Sequence, residues 1–167
     1  EVMPHILTLW GNQQIRIGTA EFAVQEVKFV VPNGLTYQDI LDRAREAKKF
    51  ELEFVSPTTF RSDGRYLLFP EPVQIYRSLI GTWKKFNEFP GGECSIDGVD
   101  IIHYKLHTVL EKFDRYEVPG FLGSCRYQIK DNPELARVIG ILGYYAGFAG
   151  VGYKRTMGLG QVRFRTL

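Results

Sequence analysis

The chain has 167 residues, 44% of them hydrophobic and 14% aromatic, with a formal net charge of +2. That length fits one domain, and the apolar content offsets the chain entropy lost on folding, which excludes a disordered chain. The near-neutral balance excludes a bulk electrostatic argument for nucleic acid, so the placement of individual cations has to carry any such claim.

The longest apolar stretches, 138–152 and 21–31, are broken by Gly and polar residues and fall short of the roughly 20 residues a bilayer span needs. The N-terminus lacks the basic, apolar and small-residue succession of a secretory signal. A soluble, cytoplasmic protein without a membrane partner is expected. The first residue is Glu1, so the expectation is a chain processed or cut from a longer protein, with 1–12 a linker or the end of a preceding domain and 13–167 a single domain. Cys94 and Cys125 are too few for a disulfide framework and show no Cys-x-x-Cys spacing, so they are expected as buried or half-buried thiols, with no metal and no cofactor.

In chain order, residues 13–31 read as an extended strand, bent near Gly18, with Ile15 and Ile17 alternating with polar neighbours and β-branched and aromatic residues following. Pro32-Asn33-Gly34 is a turn signal. Thr36 with Asp39 predicts the start of a helix over 37–47 carrying a narrow stripe of Ile40, Leu41 and Ala44. Phe50, Leu52 and Phe54 alternate with Glu51 and Glu53, the pattern of a strand with one buried face. From Pro72, the spacing of Val73, Tyr76, Leu79, Ile80, Trp83 and Phe86 predicts a second amphipathic helix that opens on a proline. Residues 101–114 and 116–129 read as a hairpin or meander broken at Pro119-Gly120. Asp131 or Asn132 ahead of Pro133 starts a helix through Leu135, Val138, Ile139, Leu142 and Tyr145, and a glycine-rich loop leads to a short strand at Val162, Phe164 and Thr166. The order is β-α-β, an inserted helix, β-β, α, β. This is an α+β, ferredoxin-like (split βαβ) plan: an antiparallel sheet with helices on one face and an inserted helix.

The most specific motif is Gly150-Val151-Gly152-Tyr153-Lys154-Arg155-Thr156-Met157-Gly158-Leu159-Gly160, two Gly-x-Gly units around a basic segment between helix and strand. From Val151 onward the chain has no acidic residue, while Lys154, Arg155, Arg163 and Arg165 are basic. Glycines allow positive φ and close backbone approach, so Gly150, Gly152, Gly158 and Gly160 could offer amides to phosphates beside Lys154 and Arg155. The same glycines could serve only a tight helix-to-strand crossover. The pattern is not a nucleotide-triphosphate loop, which precedes a helix and ends in Gly-Lys-Ser/Thr. Tyr153, in the loop, is a candidate for stacking an unpaired base. Arg61 and Arg65 flank a Ser62-Asp63-Gly64 turn and could contact phosphates or stand as a solvated turn.

The terminal loop resembles the glycine-rich signature of the repeat-associated mysterious protein superfamily, and Phe54-Val55-Ser56-Pro57-Thr58-Thr59-Phe60 resembles the stretch that follows the second strand in CRISPR pre-crRNA-processing endoribonucleases. Phe69-Pro70-Glu71-Pro72 leading into the Trp83 helix, Pro119-Gly120-Phe121-Leu122-Gly123, and the helix ahead of the loop agree in the family's order, covering roughly 50–160. The resemblance implies tandem ferredoxin-like domains and metal-independent cleavage of CRISPR repeat RNA, leaving a 2′,3′-cyclic phosphate. The general-base histidine often comes from the N-terminal domain. This chain has room for one such domain and is expected to be the C-terminal, RNA-binding half, with repeat RNA, its N-terminal half, a second copy, or a CRISPR effector complex as partners.

Within this chain, cleavage would need a base, a cation and an acid, and His103 and His107 are the weak candidates for the base. Four apart on a strand, they lie on one face at roughly 13 Å, too far to share a metal. The alternatives are a non-catalytic guide-RNA-binding subunit of an effector complex and, from another class, a small-molecule-sensing ferredoxin-like domain with a pocket and no salt-dependent RNA affinity.

Overall fold

A computed structural model describes residues 14–17, 20–24, 35–92 and 95–167. The chain divides into two compact units, 1–36 and 37–167. The first holds an antiparallel pair, β1 (Gln14–Ile17) and β2 (Ala20–Ala23), with Gln14 opposite Ala23 and Ile17 opposite Ala20. The bend expected near Gly18 therefore separates two strands that pair with each other. The rest of that expected strand, with the Pro32-Asn33-Gly34 turn, lies outside the described residues.

The second unit carries α1 (Tyr37–Arg43), β3 (Lys49–Thr58), β4 (Phe60–Ser62), β5 (Arg65–Leu67), α2 (Pro72–Trp83), β6 (Val99–Phe113), β7 (Tyr116–Ile129), α3 (Pro133–Ala149), a 3-10 turn (Arg155–Met157) and β8 (Val162–Thr166). Its four-stranded sheet runs β6-β7-β3-β8, every neighbour antiparallel. This is the split βαβ order of a ferredoxin-like fold, with β3-α2-β6 and β7-α3-β8 as the two halves. The sheet thus opens at Lys49, and the Pro72 helix is its first crossover. The helix added to the plan is α1, not α2 as the sequence pattern suggested. Hydrophobic periodicity locates a helix but is blind to which strands it joins.

Both crossover helices begin on a proline at N1, where the missing N–H costs nothing. The Asn132 side chain accepts from the Leu135 amide at 3.0 Å and caps α3. α1 stops at Arg43, short of the expected Ala47, because the Ala47 amide donates to the Ala136 carbonyl of α3 at 2.9 Å instead of continuing the helix. Gly140 and Gly143, which weaken α3 as a helix, are where neighbours press closest. A Cβ on Gly140 would stand 1.8 Å from the Arg45 carbonyl oxygen, and one on Gly143 2.3 Å from the Phe164 ring.

Phe50, Leu52 and Phe54 of β3 and Cys125, Tyr127 and Ile129 of β7 bury one sheet face under Ile75, Tyr76, Leu79 and Trp83 of α2 and Leu135, Ile139 and Leu142 of α3. Burial pushes the Cys125 thiol up to about 11, which suits an inert core cysteine. Cys94 lies outside the described residues. The long hairpin turns at Asp114-Arg115, between the two expected strands, while Pro119-Gly120, expected to break it, pair in register with Leu110 and Val109 and continue β7. Proline is tolerated there because β3 leaves the β7 ladder after Phe121, so Pro119 has a strand on one side only. Among the described residues no helix is long and apolar enough to cross a membrane.

Candidate nucleic-acid interface

The glycine loop is built by backbone closure. α3 ends at Ala149, and Gly150, at φ 65°, turns the chain while its amide still donates to the Ala146 carbonyl. Val151 N donates to Gly160 O at 2.8 Å, Tyr153 N to Thr59 O at 2.8 Å and Gly160 N to Pro57 O at 3.0 Å. Gly152 N donates to Ser78 Oγ at 2.9 Å, and Gly158 N to Arg155 O at 3.1 Å. The amides of Gly150, Gly152, Gly158 and Gly160, expected to face phosphates, are therefore hydrogen-bonded within the protein. The glycines at 152 and 160 answer to close approach: a Cβ on Gly152 would lie 2.3 Å from Thr59 O, and one on Gly160 1.9 Å from Val151 O. What the loop presents outward is side chains.

Lys154, at φ 57°, stands at the centre of an aromatic cluster that no spacing in the sequence reveals. Its Nζ donates to Tyr116 Oη at 2.6 Å and lies 4.3, 5.3 and 5.6 Å from the ring centroids of Tyr116, Tyr153 and Phe113. The hydrogen bond to Tyr116 holds the ammonium above the ordinary lysine range, so it is charged at any physiological pH. Phe113 and Tyr116 flank the turn of the β6–β7 hairpin and stack at 5.1 Å. Nothing in their spacing to residue 154 could have shown that the hairpin turn meets the loop.

Arg155 folds back, donating from Nη1 to the Ala149 carbonyl at 3.2 Å, where a guanidinium satisfies an end carbonyl of α3 and complements its dipole. Arg61 reaches the loop from β4: its Nη1 is 3.3 Å from Tyr153 Oη, and its guanidinium lies 5.4 and 5.8 Å from the Tyr153 and Tyr66 rings. Arg65, exposed at the turn end of the β4–β5 hairpin, pairs in register with Ser62 and is not brought to the loop by any hydrogen bond or ring contact among the described residues.

His103 and His107 are exposed on β6, opposite Arg126 and Leu122. Their register places them on the helix-free face of the sheet, and about 20 Å of strand separates His107 from Phe113 beside Lys154. The structure does not gather them with the loop.

That same face carries a charge network. Glu51, with its side chain 6% exposed, accepts from Arg126 Nε at 2.7 Å and from Arg165, while Arg163 pairs with Glu53 at 3.5 Å. The hydrogen bonds from Arg126 and then Arg165 hold the Glu51 carboxyl below its ordinary value of 4.5. A depressed folded-state pKa contributes stability that is present above the unfolded value and lost as pH falls through the folded one. Arg126 stands about half and Arg165 mostly in solvent, which damps the pair. Glu51→Gln is expected to cost about 1 kcal/mol at neutral pH, with the gap from the parent closing progressively as pH drops below about 4.5. Urea unfolding at pH 7 and pH 3 checks this; an equal gap at both would show that the carboxylate's charge contributes nothing.

A four-stranded split βαβ sheet, whose second crossover helix runs into a glycine-closed loop bearing Lys154 and Tyr153 beside Arg61, defines a ferredoxin-like domain with a cationic, aromatic-lined surface. Residues 52–162 match the family described as CRISPR-associated endoribonuclease Cas6, and the chain belongs to that family. The Cas6 endoribonuclease of Mycobacterium tuberculosis (strain CDC 1551 / Oshkosh) is 28% identical over 130 residues, covering 73% of this chain and 40% of that protein. The Streptococcus thermophilus Cas6 endoribonuclease is 24% identical over 131 residues, covering 75% and 54%. The chain thus spans about half the length of the curated relatives it matches. The fold is that of a Cas6 product complex, with a TM-score of 0.82 at 23% identity over 99% of this chain and 71% of the other.

Proposed function

We propose that this chain is the RNA-binding half of an endoribonuclease that processes CRISPR repeat RNA, without a metal and with a 2′,3′-cyclic phosphate product. The observation that carries the reading is the Cas6 family match, which runs from β3 through the whole glycine loop. The exposed chemistry fits it. Lys154 and Arg61 supply charge, and Tyr153 and Tyr116 supply rings, a combination suited to a single-stranded RNA backbone and its splayed bases. Gly150, Gly152, Gly158 and Gly160 act by shaping the loop, half-buried Arg155 by holding it to α3 while adding its charge to the loop's, and Arg65 as a peripheral phosphate contact.

In this reading the catalytic base lies outside this domain, which the position of His103 and His107, on the sheet face opposite the core and away from Lys154, supports. That same observation favours a second reading, a non-catalytic guide-RNA-binding subunit of an effector complex. Incubating the chain with labelled CRISPR repeat RNA in EDTA separates the two. Cutting to a cyclic phosphate places the catalytic residues within this chain. Binding without cutting assigns them to an N-terminal half or a second copy, or to no part of a non-catalytic relative. Absence of binding overturns the RNA reading.

Lys154→Ala with Arg155→Ala is expected to weaken repeat-RNA binding by about tenfold at low salt. The loss should shrink as salt rises, since each phosphate contact to a single strand contributes roughly 0.7 to the slope of log affinity against log salt. Filter binding at several salt concentrations measures it, and unchanged affinity at low salt would remove the loop from the interface.

A further inference from the structure

Beside the loop, a cleft of about 220 Å³ is lined by Phe60, Arg61, Gln74, Arg77, Ser78, Gly152 and Tyr153. Gln74, Arg77 and Ser78 are three and four apart on α2 and so share one helix face, turned toward the loop. Two guanidinium groups, Arg61 and Arg77, border this cleft, and among the described residues neither has a carboxylate partner. Like charges gathered at a cleft without an acid are complementary to an anion, and the planar guanidinium fork matches a phosphate. Arg61 is pre-positioned, packed on the Tyr153 and Tyr66 rings, so it loses little freedom on binding. Ser78 Oγ accepts from the Gly152 amide, which leaves its own O–H to donate into the cleft. Gln74, half-buried, presents a carboxamide that both donates and accepts, the group needed to read a base edge.

The cleft is small and open to solvent. Sites for drug-sized ligands and cofactors run from about 300 Å³ upward, so this cleft suits part of a chain, one nucleotide, rather than a free cofactor. We infer that the cleft between β4, α2 and the glycine loop is a single-nucleotide subsite for an unpaired position of the bound RNA, its phosphate held by Arg61, Arg77 and the Ser78 hydroxyl and its base edge read by Gln74. The inference rests on the RNA reading above and extends it to α2, whose residues that reading does not use.

The test is repeat-RNA binding by the full chain across salt concentrations, with Arg77→Ala, Arg77→Lys and Gln74→Ala, and with RNAs carrying one abasic position at a time. Arg77 is exposed, so its variants should keep the parent's melting temperature. Arg77→Ala is expected to bind about fivefold more weakly at low salt with a slope shallower by roughly 0.7, while Arg77→Lys restores the slope because it keeps the charge. One abasic position should weaken the parent, and that penalty should vanish in Gln74→Ala. If the parent binds and Arg77→Ala matches it in affinity and slope, the subsite is overturned while the RNA reading stands. If every abasic position costs Gln74→Ala what it costs the parent, the role of Gln74 falls. If the parent binds no repeat RNA, both readings fall together.

Discussion

Trp83→Ala is expected to destabilise the protein by about 4 kcal/mol, among the largest losses available to a single substitution here. The indole is fully buried at the end of α2. Tyr37 of α1 and Tyr145 of α3 meet it edge-on at 4.7 and 4.8 Å, and Phe89 at 5.8 Å. One side chain therefore holds three helical segments and the loop after α2 in a single aromatic cluster. Truncation leaves a cavity that rings of fixed shape fill poorly, and it removes the hydrogen bond from Nε1 to the Glu88 carbonyl at 3.0 Å. In a chain of this size the loss should lower the melting temperature by roughly 10 °C, read by circular dichroism. Trp83→Phe keeps most of the ring area and should lose less than half as much. A cost for Trp83→Ala below about 1.5 kcal/mol would show that the cluster collapses around the gap.

Gly160→Ala should be nearly as damaging, about 3 kcal/mol, for a different reason. Gly160 has φ 75°, and its new methyl would stand 1.9 Å from the Val151 carbonyl oxygen, the residue whose amide donates to Gly160 O. Both strands of that closure are backbone, so no side chain can rotate away. Gly158→Ala is the control: φ is 88°, yet nothing lies within 4 Å of the added Cβ, so only the dihedral strain of about 1 kcal/mol is incurred. Denaturant unfolding of the two variants separates strain from collision. Equal losses would mean that the loop opens at little cost. Because Gly160 fixes where Tyr153 and Lys154 emerge, the variant should also bind repeat RNA more weakly than Gly158→Ala.

Local signals in the sequence hold where they act locally. The alternation of Phe50, Leu52 and Phe54, the prolines opening α2 and α3, and the glycines at 150–160 each reflect constraints within a few residues of chain, and each element begins where those signals put it, though α2 stops at Trp83 and leaves Phe86, expected on its apolar face, exposed. Motif order across 50–160 was enough to reach the family, since it samples the whole core. Errors came where a local signal has two uses. Pro119-Gly120 reads as a break in the hairpin, yet β7 runs straight through it because β3 has already left β7 there. The glycine loop reads as a row of free amides, yet the carbonyls of Pro57, Thr59 and Ala146 and the hydroxyl of Ser78 take them.

The α+β class, the family and the cationic loop are legible without coordinates, because periodicity and capping are short-range properties of the chain and motif order is written along it. It takes the folded chain to show that β3 is the first strand of the sheet, that His103 and His107 face away from the loop, and that Lys154 meets Phe113 and Tyr116 while Arg61 meets Tyr153. Those pairings join residues about 40 to 90 positions apart. They are set by sheet register and helix packing, which no window of sequence contains.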